Sequence, residues 1–291
     1  MELRVLQYFL TVAREENITR AAALLHMTQP TLSRQLRQLE EELGVTLFER
    51  GNHQVRLTGD GLLLLRRAQE IVDLVQRTQE EFCSEGEQLA GTIVIGAGET
   101  HNMEIVAGWM KSFQEKYPLV DFRVQSSTAD FIKENIEKGL VDIGLLTGPV
   151  DISRYEVLNL PEKGIWGITA PAEDELADKG EISPEDLAGR SLIMPWRNEV
   201  QMDLRKWLGS VYDTVQVTAT HNLIANALCL VRQRMGLLLS TYIIPVGEGL
   251  RFIPLKDMTP TSSELVWKKQ QAVGKATRRF LEWCQRQKNE L

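Results

Sequence analysis

The stretch from His26 to Gly44 reads HMTQPTLSRQLRQLEEELG, and its asymmetry decides what the front of the chain is. Thr28 is a natural helix N-cap, which puts Pro30 in the first turn, where a missing N–H is harmless. Leu32, Leu36, Leu39 and Leu43 follow at spacings of four, three and four, forming a stripe to be buried. The opposite face carries Pro30, Arg34, Arg37 and Glu41, with Ser33 beside it. The front of the helix combines the positive end of its macrodipole with Gln29, Thr31, Ser33 and Arg34, whereas Glu40 to Glu42 load negative charge onto the back. Only the front suits a polyanion. This is the form of a recognition helix, whose N-terminal residues reach base edges in the major groove.

The neighbouring segments fit that reading. Leu3, Leu6, Leu10 and Ala13 recur at helical spacing, Asn17 caps a short helix through Leu25, and His26-Met27 make the turn into the third helix. After it, TLFERGNHQVRLT (Thr46 to Thr58) has two β-like runs around Gly51-Asn52, with Arg50, His53 and Arg56 near the tip, a wing beside the helices. The net charge of −7 argues against a general affinity for polyanions. Residues 1–58 hold seven arginines against seven glutamates, and lysine is absent before Lys111. Any phosphate contact near the front must therefore use arginine, polar side chains or helix N-termini.

The run NITRAAALLHMTQPTLSRQLRQLEEELGVTLFER followed by VRLT resembles the winged helix-turn-helix of the LysR-type transcriptional regulators, in register over its whole length. The resemblance implies that residues 1–58 are a DNA-binding domain. In it Gln29, Thr31, Ser33 and Arg34 would face bases or adjacent phosphates, and Arg37, Arg50, His53 and Arg56 would make backbone or minor-groove contacts. Ala21 and Ala22 would be small for close helix packing.

From Leu62 to Phe82 neither glycine nor proline interrupts a helical pattern. Leu65, Ala68, Val72, Val75, Gln79 and Phe82 form a coiled-coil-like seam, and Leu64, Ile71 and Leu74 a second apolar edge. The pattern alone allows packing on the same chain. The resemblance favours a linker and dimerisation helix over 59–87, in a homodimer or homotetramer.

Beyond Gly91 the character changes to alternating β and α. TIVIGAG, LVDFRVQ and LVDIGLL, then IWGITA, SLIM, VQVTA and LLLS, are short strand-like runs separated by helical patterns, which predicts parallel sheets of βα units. SPEDLAGRSLIMP and RQRMGLLLS are similar to segments of the LysR-family effector domain, which resembles bacterial solute-binding proteins. The fold class expected is α/β, with an all-α-rich N-terminal winged helix-turn-helix, a long linker helix and a two-lobed, periplasmic-binding-protein-like effector domain over 88–291. Lobe I is expected over about 91–161 and 267–291, and lobe II over about 162–266.

Other chemistry finds little support. GAGETHNM has His101 where a dinucleotide fingerprint needs glycine, and no phosphate-loop, zinc-protease or nucleophile-elbow motif occurs. The four histidines do not pair at ligand spacing, and Cys83, Cys229 and Cys284 are odd in number and far apart. No enzymatic activity, metal or cofactor is expected. With no export signal or membrane span in the sequence, the expected location is cytoplasmic. A solute-binding protein or α/β enzyme using residues 1–58 only for assembly is the alternative. The reading taken is a sequence-specific regulator with a double-stranded DNA operator and a small-molecule effector.

THNM at Thr100 to Met103 recurs as THNL at Thr220 to Leu223, each after a strand and before a helix. Both copies are expected at positive helix ends facing one interlobe cleft, with Thr100, His101 and His221 on an anionic metabolite. Acid-strengthened binding would follow if a histidine must be charged. The resemblance adds Thr128 and Thr147 to the cleft, with Trp196 as an apolar wall.

Overall fold

The computed structural model describes residues 1–50, 55–83, 89–242, 247–269 and 273–290. The chain divides into two compact units, Met1–Glu85 and Gly86–Leu291.

The first unit opens with α1 (Leu3–Glu15), α2 (Ile18–Leu24) and α3 (Gln29–Leu43). The buried stripe of α1 is Val5, Leu6, Phe9 and Val12; Leu10 is only partly buried, so this face is rotated from the expected one. Asn17 caps α2, its Oδ1 accepting the N–H groups of Thr19 and Arg20, both at 3.0 Å. In α3 Leu32, Leu36 and Leu39 are buried, whereas Leu43 is exposed beside the C-capping Gly44. Ala21 and Ala22, also buried, let α2 approach the same core.

Strands β1 (Phe48–Arg50) and β2 (Val55–Leu57) pair antiparallel, and the wing tip 51–54, with His53, lies outside the described residues. The wing is tied back twice. Val55 N–H reaches the Glu16 carbonyl at 3.0 Å, and Glu40 Oε1 accepts from Leu47 and Phe48 N–H at 2.8 and 3.2 Å.

Helix α4 (Gly59–Cys83) starts where the Thr58 hydroxyl accepts Gly61 N–H at 3.0 Å and donates to the Thr46 carbonyl at 2.6 Å. A Cβ at Gly61 would stand 2.2 Å from the Leu47 carbonyl oxygen, so only glycine permits this approach. Ala68 is buried in the head, with Leu64, Leu65 and Val72 packed against the same core. Much of the expected dimer seam is thus turned onto its own head. The face left in solvent carries Leu63, Ile71 and Leu74.

The second unit holds two five-stranded sheets. Lobe I comprises β3 (Ala90–Ala97), α5 (Met103–Lys116), β4 (Leu119–Ser126), α6 (Ala129–Glu137), β5 (Ile143–Thr147), β6 (Tyr155–Asn159), β12 (Ser263–Lys268) and α9 (Lys275–Glu290), with sheet order β4-β3-β5-β12-β6. Phe113, Phe122, Phe280 and Trp283 meet edge to face beneath it, bringing α9 back onto lobe I. Lobe II contains β7 (Trp166–Pro171), β8 (Ser191–Pro195), α7 (Asn198–Leu208), β9 (Gln216–His221), α8 (Ile224–Arg232), β10 (Leu237–Thr241) and β11 (Leu250–Pro254), with order β11-β7-β10-β8-β9.

Both sheets are mixed rather than parallel. β12 runs antiparallel to β5 and β6, and β7 antiparallel to β10 and β11. The return to lobe I falls before Ser263, not near residue 267, because SELVWK enters the first sheet. What remains parallel is β3, β4 and β5 in one lobe and β8, β9 and β10 in the other. Among the described residues no helix is long and apolar enough to cross a membrane, and no group of three His, Cys, Asp or Glu could hold a metal ion.

Candidate nucleic-acid face and effector cleft

In the head, the front of α3 is open. Gln29, Arg34 and Arg37 are exposed, with Thr31 and Ser33 half-buried beside them. Gln29 Nε2 donates to Ser33 Oγ at 3.0 Å, and the Thr28 and Thr31 hydroxyls share a 2.8 Å bond, which orders this polar surface. The head's equal counts of arginine and glutamate conceal an uneven distribution. Glu40 is committed to the wing backbone, Glu42 pairs with the terminal amine at 2.7 Å, and Glu15 with Arg20 at 3.5 Å. Arg34, Arg37 and Arg56 keep no carboxylate partner among the described residues. Arg50 ends β1, and its side chain lies outside the described residues.

The second unit holds a cleft between its lobes. Six parallel strands end on it: β3, β4 and β5 lead into Glu99, Thr128 and Gly148, while β8, β9 and β10 supply Trp196, His221 and Thr241. Open α/β sheets bind ligands beyond the carboxyl ends of their strands because backbone donors and helix starts converge there. Thr128 N-caps α6, yet its hydroxyl makes no capping bond. Thr147 also lines the cleft, with its hydroxyl 3.1 Å from that of Ser263.

The two THN copies are not equivalent. Thr100 lies behind the lining, its hydroxyl 3.3 Å from Ser263 Oγ, and His101 turns to the crossover segment, with Nε2 3.3 Å from Asn102 Nδ2 and 3.4 Å from Glu162 Oε2. Neither faces the cleft. His221 does, and its Nε2–H donates to the Leu239 carbonyl at 3.1 Å, while Nδ1 is buried with no hydrogen-bond partner among the described residues. Burial pushes the His221 ring below its ordinary pKa of 6.5, only partly offset by that carbonyl. Burial thus disfavours the charged ring on which acid-strengthened binding through this histidine would depend.

Local sequence reasoning missed three groups here. Arg197, at the N-cap position of α7, donates from Nη2 to the Pro149 carbonyl at 2.8 Å, with Asp130 and Glu199 carboxylates at 3.8 and 3.9 Å. Glu99 reaches the start of α8 in the other lobe. Ser240 is buried on the cleft wall beside Trp166. The usable signal was position: Glu99 and Arg197 each follow the end of a parallel strand by two residues.

A helix-turn-helix head with a wing, followed by a two-lobed α/β unit with a cleft at its strand ends, defines a class of chain that couples a nucleic-acid-binding fold to a small-molecule-binding fold. Residues 3–62 match the family model for the bacterial regulatory helix-turn-helix protein, lysR family, and residues 86–289 that for the LysR substrate binding domain. The chain belongs to the LysR family.

It is 34% identical over 200 residues to the HTH-type transcriptional regulator AlsR of Bacillus subtilis, covering 66% of this chain and 64% of that one. To BsdA of the same organism it is 37% identical over 148 residues, covering 50% and 51%. The chain thus spans between half and two-thirds of the length of these curated relatives. In fold it is similar to the LysR-family regulator CbnR, with a TM-score of 0.76 and 19% identity, covering 99% of each chain. Full-length CbnR complexed with its target DNA gives 0.75 at 19% identity, covering 98% and 99%, and full-length BenM 0.54 at 21%, covering 100% and 97%.

Proposed function

We propose that the chain is a cytoplasmic, one-component transcription regulator that reads a double-stranded DNA operator with the front of α3 and responds to a small anionic metabolite held in the interlobe cleft. The observation that carries the first half is that Arg34, Arg37 and Arg56 have no carboxylate partner among the described residues, while Glu15, Glu40 and Glu42 of the same head are committed elsewhere. Arginine on an exposed helix front is suited to bidentate contact with guanine, and the wing arginines to phosphates. Gln29, Thr31 and Ser33 extend the reading face, with Arg50 and His53 as further candidate contacts. That CbnR has been crystallised with its target DNA supports the same use of a like fold.

For the second half, Arg197 brings a cation to the cleft: its Nη2 donates to the neutral Pro149 carbonyl, and among the described residues its carboxylate partners, Asp130 and Glu199, stand off at the long ion-pair distances of 3.8 and 3.9 Å. The uncapped start of α6 at Thr128 adds backbone donors. Thr147, Trp196 and His221 complete the effector contacts, and His221 serves as a neutral group. Thr100 acts behind Thr147 through Ser263, and His101 through the crossover segment. The assembly is a homodimer or homotetramer, with the free face of α4 as its first contact. Fluorescence anisotropy with labelled DNA flanking the chain's own gene tests DNA reading: salt-dependent, sequence-selective binding is expected, and indifference to sequence overturns it. Calorimetry of anionic against neutral metabolites tests the effector class.

A further inference from the structure

Helix α8 begins without a cap from its own lobe. Its N-cap residue is Leu223, which has no acceptor in its side chain, and its first turn contains no acidic residue. Asn222, one position earlier, spends its Oδ1 on Leu223 N–H at 2.9 Å. The acceptor comes from the other lobe instead. Glu99, two residues beyond the end of β3, places Oε2 on Ile224 N–H in a short hydrogen bond and on Ala225 N–H at 3.3 Å. The donor and acceptor are 125 residues apart in sequence, and Glu99 and Ile224 both line the cleft. A carboxylate at a helix start satisfies orphan amides and the positive end of the dipole together.

We propose that Glu99 is an internal stand-in for the effector's anionic group: in the effector-free chain it occupies the seat at the start of α8 and latches the lobes, and an incoming carboxylate or phosphate displaces it. The displacement half rests on the anionic-effector reading; the latch half does not. Arg197 to the Pro149 carbonyl is a second bond across the lobes, and it does not involve Glu99. The device explains an otherwise contrary feature, a negative side chain in a cleft assigned to anions. The charge is already matched by the helix end it holds, so an effector exchanges one anion for another.

The test is amide hydrogen exchange on the full chain as wild type, Glu99→Ala and Glu99→Gln, each with and without sodium acetate. In Glu99→Ala the amides of Ile224 and Ala225 should exchange about tenfold faster or more, the scale of one lost charge-assisted hydrogen bond. Acetate should restore protection there and leave the wild type unchanged. Inorganic phosphate should bind Glu99→Ala about tenfold tighter than wild type by calorimetry, since the seat is vacant. Glu99→Gln keeps the shape and an acceptor while losing the charge, so an intermediate exchange rate supports the latch even if the alanine variant folds poorly.

Equal exchange in wild type and both variants overturns the latch. Faster exchange that neither acetate nor phosphate reverses overturns the anion seat. A neutral metabolite that binds the wild-type cleft without altering exchange at the start of α8 overturns the proposed effector class, while the latch, read by exchange alone, stands.

Discussion

Helix α4 offers a test that separates assembly from folding, because its apolar residues divide between a face on the head and a face in solvent. Ala68 is buried in the head and Val72 packs against that core, whereas Leu63, Ile71 and Leu74 are 53%, 38% and 44% exposed. Full burial of such a side chain stabilises by about 1.5–3 kcal/mol, so covering the exposed fraction of each contributes ~1 kcal/mol. Three residues on each of two chains then supply ~6 kcal/mol to a symmetric helix pair. Replacing Ile71 and Leu74 together by aspartate removes four of those side chains from the dimer, ~4 kcal/mol before any cost of desolvating carboxylates. That corresponds to roughly three orders of magnitude in dissociation constant. Sedimentation equilibrium across a wide concentration range should show Ile71→Asp/Leu74→Asp as a monomer with a melting temperature close to that of the parent at matched monomer content. Val72→Asp should do the reverse, lowering the melting temperature by setting a charge against the head core. If the double variant sediments as the parent does, the free edge of α4 is not the contact.

Further tests follow from the head and the cleft. Arg34→Ala should weaken operator binding by ~1–3 kcal/mol and relax base preference, whereas Arg56→Ala should weaken all sequences alike; titrations at fixed salt against matched and mismatched operators check both. Gly61→Ala forces a Cβ to within 2.2 Å of the Leu47 carbonyl oxygen, and the overpacking should cost about 1–3 kcal/mol, read as a lower denaturation midpoint with operator binding lost in parallel. His221 has a folded-state pKa below 6.5, so the native state binds fewer protons than the unfolded chain. Its contribution is complete above about pH 6.5 and is lost as pH falls through the lowered folded value. Denaturation midpoints should therefore drop with acidification below 6.5, and less steeply in His221→Gln.

What the sequence discloses, and what it withholds, follows the range of each interaction. Helix α3 is legible because Thr28, Pro30 and the leucines at 32, 36 and 39 act within a few residues of one another. The wing is legible for the same reason, although Glu40 binding the Leu47 and Phe48 amides is not, since a glutamate in an acidic run looks like any other. In α4 both apolar edges have the right period, and periodicity cannot say which residues meet the head: Leu65, Ala68 and Val72 of one edge do, with Leu64 of the other, at the approach allowed by Gly61. Strand β12 escapes because Glu264 sits at its second position and is nonetheless buried, a charge that reads as a break before a short apolar run. The repeated THN misleads because its two copies share a local role beside a helix start but sit in different tertiary surroundings, one against Glu162 and the other facing the cleft. Glu99 on the start of α8 joins positions 125 apart, beyond any local pattern.

The magnitudes in the cleft constrain what kind of effector can work. Moving a two-state equilibrium from mostly one state to mostly the other takes about 5.5 kcal/mol of differential affinity. Exchanging Glu99 for another carboxylate at the start of α8 supplies almost none of it, because a helix end is worth about 0.3–2 kcal/mol to either anion. The difference has to come from contacts that Glu99 does not make. Trp196 is 53% exposed on the cleft wall, and covering about half of an indole, on the order of 125 Å², contributes ~3 kcal/mol. A charge-assisted hydrogen bond to Arg197 adds ~1.5–3 kcal/mol. Together these reach the required scale, and neither does so alone. The expected effector is therefore an anion with an apolar body large enough to cover Trp196, and acetate should bind the vacated seat of Glu99→Ala without changing operator binding by the wild type. In a calorimetric series of carboxylates of increasing apolar size, affinity for the wild-type cleft should rise with size, and Trp196→Ala should flatten the trend by about a hundredfold at its upper end. An unchanged series in Trp196→Ala would refute this assignment of the driving contact.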